Sequence, residues 1–185
     1  MTKLIMWNLL SLDGFFEGAK SWDLDFHQSV WGDELERLSL EQLNTADGLL
    51  FGRITYEGMA AYWQTAIGEV AKLMNAVPKI VVSRTLERAD WPNTKLIKDN
   101  VAAEIQKLKS QGNKNTFVFG SANLSATLMQ HNLFDEYRLA IAPVLLGLGK
   151  PLFPTNFDRL NLELLDSRQL SNGCIILRYE PLRDR

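Results

Sequence analysis

Apolar residues in this chain fall into short uninterrupted runs that alternate with segments of helical spacing. Lys3 to Leu10 is one such run and predicts a buried first strand. Asp33 to Ala46 places Leu35, Leu38, Leu43 and Ala46 on one face with most charges elsewhere, which predicts an amphipathic helix. Gly48 to Phe51 reads as a strand, followed by a helix near Thr55 to Trp63. Lys79 to Ser83 is short and β-branched, the mark of an interior strand, and Leu96-Ile97 is a second short one. Val101, Ile105 and Leu108 mark a helix that closes at Lys107, Lys109 and Gly112. Thr116 to Phe119 is a further strand, broken at Gly120, with Leu124 and Leu128 marking the next helix. Tyr137 to Ile141 is another strand. At the end Leu160, Leu162 and Leu164 alternate with other residues, Asn172-Gly173 supplies a turn, and Ile175 to Tyr179 returns as a hairpin. Strands alternating with helices before a closing hairpin predict an α/β fold with a mostly parallel mixed sheet. Between the first strand and first helix, Ser11 to Trp31 carries glycines, aromatics and acids and reads as a long loop, a class of segment that often carries function.

Composition narrows the setting. The chain has 185 residues, 46% of them hydrophobic, which predicts one domain over residues 1–185 with a substantial core. A net charge of −2 gives no footprint for nucleic acid or an acidic membrane surface. No apolar run reaches membrane-span length, and the first residues lack the apolar core of a signal peptide, so a cytoplasmic setting is expected. Cys174, the one cysteine, excludes an internal disulfide framework and a multi-cysteine zinc site, and its apolar surroundings predict a buried, inert thiol. No metal site is expected; His27 and His131 show no ligand spacing and read as structural or exposed.

Candidate chemistry gathers at three strand ends: Gly52-Arg53-Ile54-Thr55, Ser83-Arg84, and Gly120-Ser121-Ala122-Asn123-Leu124. Ligands of open α/β sheets sit beyond the carboxyl ends of the strands, so the three are expected to converge. A strand that breaks at glycine and feeds a helix exposes N–H groups and the positive end of the helix dipole, a ready phosphate site. Gly120 allows close backbone approach to a pyrophosphate, and Ser121 is placed to cap the helix after it. Arg53, Ser83 and Arg84 suit a ribose 2′-phosphate, which favours NADP over NAD. No G-x-G-x-x-G follows a strand, and Gly147-Leu148-Gly149-Lys150 lacks the rest of a P-loop.

Four stretches carry a family resemblance: Ser11-Leu12-Asp13-Gly14-Phe15, Leu50 to Glu57, Val118 to Leu124, and Pro143 to Phe153. On these the chain resembles the dihydrofolate reductase-like superfamily, and within it the C-terminal reductase domain of the riboflavin biosynthesis deaminase-reductase. The resemblance implies the three-layer dihydrofolate reductase-like fold, NADPH bound across the strand ends, hydride delivery to a small-molecule substrate in the adjoining cleft, and a homodimer. Asn8, Ser11 and Leu12 then line the nicotinamide end, and Asp13 is placed to orient substrate or relay a proton. An Asp-Gly turn, with the side chain bonded to its own backbone, accounts for Asp13 equally well.

Two departures shape the expected substrate. The branch usually has a basic residue after Ser-Leu-Asp-Gly, whereas this chain has Phe15 and Phe16, which suit a flat or apolar substrate better than a phosphorylated sugar. The deaminase signature of H-x-E with P-C-x-x-C is missing, so the expectation is a stand-alone reductase. Trp22, in the loop, is a candidate cleft wall, with Trp7, Phe26 and Trp31 as further aromatics. Dihydrofolate reductases place a carboxylate on the first helix, for which Glu36 is the candidate here. Dihydrofolate reduction and a non-catalytic NADPH-binding module stand as the alternatives.

Overall fold

The computed structural model describes residues 2–155 and 157–182. The first strand, β1 (Lys3–Ser11), is central because both of its faces are apolar. Leu4 and Met6 point into one core and Ile5 into another on the opposite side, as strand alternation requires. Around β1 the main sheet adds β3 (Ala46–Gly52), β4 (Lys79–Val82), β5 (Thr94–Ile97), β6 (Asn115–Phe119), β7 (Glu136–Ala142), β9 (Leu162–Gln169) and β10 (Ile175–Pro181). Its eight strands run in the order β5-β4-β3-β6-β1-β7-β10-β9. The strands from β5 to β7 in that order pair in parallel, and β10 and β9 are antiparallel. Register aligns one apolar row across the sheet, Ile80-Leu50-Val118-Met6-Tyr137, so a single layer of side chains spans five strands.

Helices cover both faces, as buried parallel strands demand. α1 (Asp33–Asn44), α2 (Arg53–Trp63) and α3 (Glu69–Ala76) contribute Leu43, Tyr56, Ala60, Val70 and Met74 to the core around Phe51 and Phe117. α4 (Val101–Gln111) and α5 (Ala122–Gln130) contribute Ile105, Leu124 and Leu128 to the opposite core. A third cluster under β7 and β10 holds Val30, Leu35, Leu170 and the fully buried Cys174, whose thiol is pushed up to about 11 by burial and is inert.

Some elements depart from the pattern reading. α3 lies where no element is predicted; Val70, Leu73 and Met74 have helical spacing, but the helix spans only eight residues. Within the long loop, β2 (Phe15–Glu17) pairs with β8 (Lys150–Pro151) in a separate two-stranded sheet, and residues Asp25–Ser29 form a 3₁₀ turn. Ala46 opens β3 and does not close α1, which ends at Asn44. The hairpin strand β9 starts at Leu162, and all eight of its residues are exposed, so its alternation buries neither face. Among the described residues no helix is long and apolar enough to cross a membrane.

Candidate functional site

Two strand–helix junctions, β3 into α2 and β6 into α5, are braced against each other. The Ser121 hydroxyl accepts the Gly52 N–H at 2.8 Å and donates to Thr55 Oγ1 at 2.8 Å. Ser121 occupies the N-cap position of α5 but makes no side-chain cap bond. The expectation that it caps its own helix is therefore corrected: at φ +59° its side chain faces the neighbouring junction. The fit is tight at both glycines. A Cβ at Gly52 would lie 2.9 Å from Ser121 Oγ, and one at Gly120 would lie 3.0 Å from Thr55 Oγ1, with Gly120 also at φ +52°. Asn8 on β1 completes the brace by accepting the Gly120 N–H on Oδ1 at 2.8 Å. That bond fixes the amide orientation, and Asn8 Nδ2 is left as a buried donor with no protein partner.

The junctions open into a cleft of about 1020 Å³ at the carboxyl ends of β1, β3, β4 and β6. It lies at the upper end of the range for small-ligand sites, about 300–1,000 Å³. Its polar end gathers Gly52, Arg53, Thr55, Ser83 and Arg84 with Gly120 to Leu124, so the three predicted strand ends do converge. Arg53 holds Glu57 at 3.0 Å on the exposed side of α2. An exposed i,i+4 pair of this kind is worth about 0.3–0.5 kcal/mol, small enough for a phosphate to displace. Ser83 Oγ accepts the N–H groups of Thr85 and Leu86, which turns the chain after β4 and leaves Arg84 exposed at the rim.

The other end is aromatic. Trp7, Phe16, Trp22 and Trp31 line it together with Leu24 and Leu35. Trp22 lies over Gly58 of α2, where any side chain would collide with its ring. Glu17, which lines the same end, is buried, takes the Trp22 N–H and pairs with Lys150 at 2.8 Å. This carboxylate ties the 18–31 segment to β8. His27, from the 3₁₀ turn, also lines the cleft, stacked edge-on against Phe26. Burial pushes its imidazole down to about 4, opposed by a hydrogen bond to the Phe16 main chain. His27 Nε2 has no partner in the protein, and a buried unpaired group of this sort costs about 1–3 kcal/mol. His27 and the Glu17–Lys150 pair are absent from the sequence-derived site; His27 sits in a segment without periodicity, and its aromatic neighbours are its one signal.

Several predicted residues lie outside the cleft wall. Asp13 accepts the Ser11 hydroxyl at 2.6 Å and the N–H groups of Leu146 and Gly147 at 3.1 and 2.8 Å. The Ser11 bond, opposed by desolvation and reinforced by the two main-chain bonds, holds its carboxyl below the usual range. Asp13 thus clasps the 146–147 turn, and Ser11 supports it while accepting the Phe15 N–H. Leu12 is 65% exposed. Phe15 packs against Gly149 in the small sheet, and it is Phe16 that reaches the cleft. Helical spacing turns Leu35, Ser39, Gln42 and Leu43 of α1 toward the cleft and leaves Glu36 off that stripe.

An open sheet with paired strand–helix junctions at its switch point, closed by an antiparallel hairpin, is the dihydrofolate reductase-like fold. A protein of Shewanella sp. PV-4, provisionally named for riboflavin biosynthesis, superposes with a TM-score of 0.80 at 22% identity over 98% of this chain and 100% of that one. Enterococcus faecalis dihydrofolate reductase, solved as a complex with NADP(H), gives 0.65 at 15% identity over 98% and 97% of the two chains. The chain belongs to the RibD C-terminal domain family, whose model matches residues 2–176. In sequence it is 32% identical to the uncharacterized protein YyaP of Bacillus subtilis over 96% of this chain and 94% of that protein.

Proposed function

We propose that this chain is a stand-alone NADPH-dependent reductase that delivers hydride to a C=N or C=O carbon of a small heterocycle or sugar derivative. The reaction class follows that of the 5-amino-6-(5-phosphoribosylamino)uracil reductase whose Thermotoga maritima deaminase–reductase shares the fold. The observation that carries the reading is the braced pair of junctions opening into the cleft, with the orphaned Asn8 Nδ2 beside it. These residues fit a dinucleotide. The N-termini of α2 and α5, with Thr55, Ser121, Ala122 and Asn123, would hold the pyrophosphate. Arg53, Ser83 and Arg84 would take the 2′-phosphate, and Asn8 Nδ2 would bond the nicotinamide carboxamide. NADPH, when bound, supplies the hydride; the chain binds, orients and excludes water. Asp13, through its clasp on the 146–147 turn, sets the position of the loop that precedes β8. No carboxylate of α1 lines the cleft, which removes the usual anchor for a pterin and sets dihydrofolate reduction aside.

Titration by nicotinamide fluorescence tests the reading. The expected result is tight NADPH binding, weak NADH binding, and a loss of roughly 10–100-fold in NADPH affinity for Arg53→Ala with NADH affinity little changed. Equal losses for both cofactors would remove the 2′-phosphate role, and no binding of either would overturn the reading. Tight binding without turnover on any substrate would leave a cofactor-binding module. We further infer that the chain acts as a homodimer, since its last hairpin exposes apolar side chains.

A further inference from the structure

We propose that Lys150 is the acid of the reaction: its ammonium group gives the proton that must accompany hydride onto the substrate. The inference rests on the reductase reading and adds a residue to it. Hydride arriving at a C=N or C=O carbon pushes the electron pair of that bond onto nitrogen or oxygen, and that atom must then take a proton. Among the described residues lining the cleft, the ionisable ones are Glu17, His27, Arg53, Arg84 and Lys150. Arg53 and Arg84 carry guanidinium groups, which do not release a proton in proteins. His27 is neutral, because burial pushes it down to about 4, and its Nε2 is itself buried. Glu17 is a buried carboxylate that accepts on both oxygens, from the Trp22 N–H and from Lys150. Asp13 is committed to Ser11 and the 146–147 turn. That leaves Lys150.

Its position suits the role. The pairing of β2 with β8 sets Lys150 opposite Glu17, whose Oε2 holds the ammonium at 2.8 Å. The other carboxylate oxygen takes the Trp22 N–H, so the anchor is itself held. Lys150 lines the cleft and also a second hollow of about 470 Å³, which it shares with Ala122 and Asn123 at the start of α5. It thus stands at the seam between the half that would hold the dinucleotide and the half open to substrate, where hydride would pass. One ammonium proton is engaged by Glu17, and two remain to donate. The side chain is 46% exposed, so solvent can replace a proton that has been given up. The step balances: hydride goes to carbon, a proton leaves Nζ for nitrogen or oxygen, and a proton from water returns to Nζ. Glu17 is a positioning residue that holds the amine in place.

Footprinting with acetic anhydride tests the place of Lys150, with NADP⁺ binding measured separately by calorimetry. Lys150 should be acetylated in the free protein and protected by NADP⁺, while Lys72 on α3 and Lys95 on β5, both exposed, react as before. Turnover tests the role, with 9,10-phenanthrenequinone and 5-amino-6-(5-phosphoribosylamino)uracil as probes. Lys150→Met should lower kcat about 10²–10⁴-fold with NADPH affinity unchanged, and Lys150→Arg, which keeps the charge without a releasable proton, should be as slow. In Lys150→Ala, methylammonium should restore turnover at least about tenfold, and tetramethylammonium, equally charged but with no N–H, should not. Full activity in Lys150→Met or Lys150→Arg, rescue by neither cation, or equal rescue by both would overturn the proton role. An unprotected Lys150 in the NADP⁺ complex would overturn its place at the seam. Failure of NADP⁺ to bind, or a wild-type protein that reduces neither probe, would strike the reductase reading and this inference with it.

Discussion

The His27 imidazole stays neutral in the folded chain because it is packed among the aromatic residues of the 18–31 segment and has no anion beside it to favour its charged form. Its ordinary value is 6.5 and its folded value about 4. The unfolded chain therefore takes up a proton in a window where the folded chain does not. The stability this residue contributes is complete above pH 6.5 and is lost as the pH falls toward 4. The full effect is on the order of 3 kcal/mol. Urea midpoints measured between pH 7 and 4 should fall more steeply for the wild-type protein than for His27→Gln; parallel curves would mean that the ring is not held neutral. Lys79 shows the same physics with partners. It is 1% exposed, donates to the Met74 and Asn75 carbonyls that end α3, and lies 4.7 Å from the Trp91 ring. Burial lowers it to about 8, and Lys79→Met should cost about 1–3 kcal/mol in a urea melt, since two buried carbonyls lose their donor. Glu136 is the anionic counterpart. Burial alone would raise its carboxyl, but Arg178 and Arg138, both bonded at 2.7 Å, reverse the sign and hold it low.

At the level of elements, strands were legible because parallel strands buried on both faces must be written as unbroken apolar runs, as in Leu49-Leu50-Phe51 and Phe117-Val118-Phe119. The strand-end glycines were legible for the same reason, since each stops such a run. What could not be read was which junction leans on which. Ser121 looks like a cap in one dimension and proves to be a strut from the start of α5 to the start of α2, bonding Gly52 69 residues earlier in the chain. α3 escaped notice because eight residues give barely two turns of periodicity. The clasp of Asp13 on a turn more than 130 residues further along has no local signature at all. The strut makes a prediction. Ser121→Ala strands the Gly52 N–H and frees Thr55, and should cost about 1–3 kcal/mol in thermal or urea unfolding. It should also weaken NADPH binding, because the two helix starts lose their relative position. Unchanged stability and affinity together would show that the junctions are held by packing alone.

Across the whole molecule the sheet ends in two edge strands of different character. β5 is four residues long and has no large exposed apolar side chain, whereas the β9 end exposes Leu162, Leu164, Leu165 and, from β10, Ile175. An edge strand with these exposed apolar residues is a liability unless something covers it, and an identical hairpin is the complementary surface the chain itself supplies. Sedimentation should give a dimer for the wild-type protein and a monomer for Leu164→Asp; a monomeric wild type would remove this assignment. The two halves of the cleft also differ in how they are anchored. The half proposed to hold the cofactor is made of strand–helix junctions whose glycines sit close against Ser121 and Thr55. The aromatic half rests on β1 and α1 through Trp7 and Leu35 but is completed by loop residues such as Trp22 and Trp31, held by the separate β2–β8 sheet and the Glu17–Lys150 pair. Mutational drift therefore meets very different resistance at the two ends. A scaffold divided in this way can exchange the molecule it reduces while keeping its source of electrons.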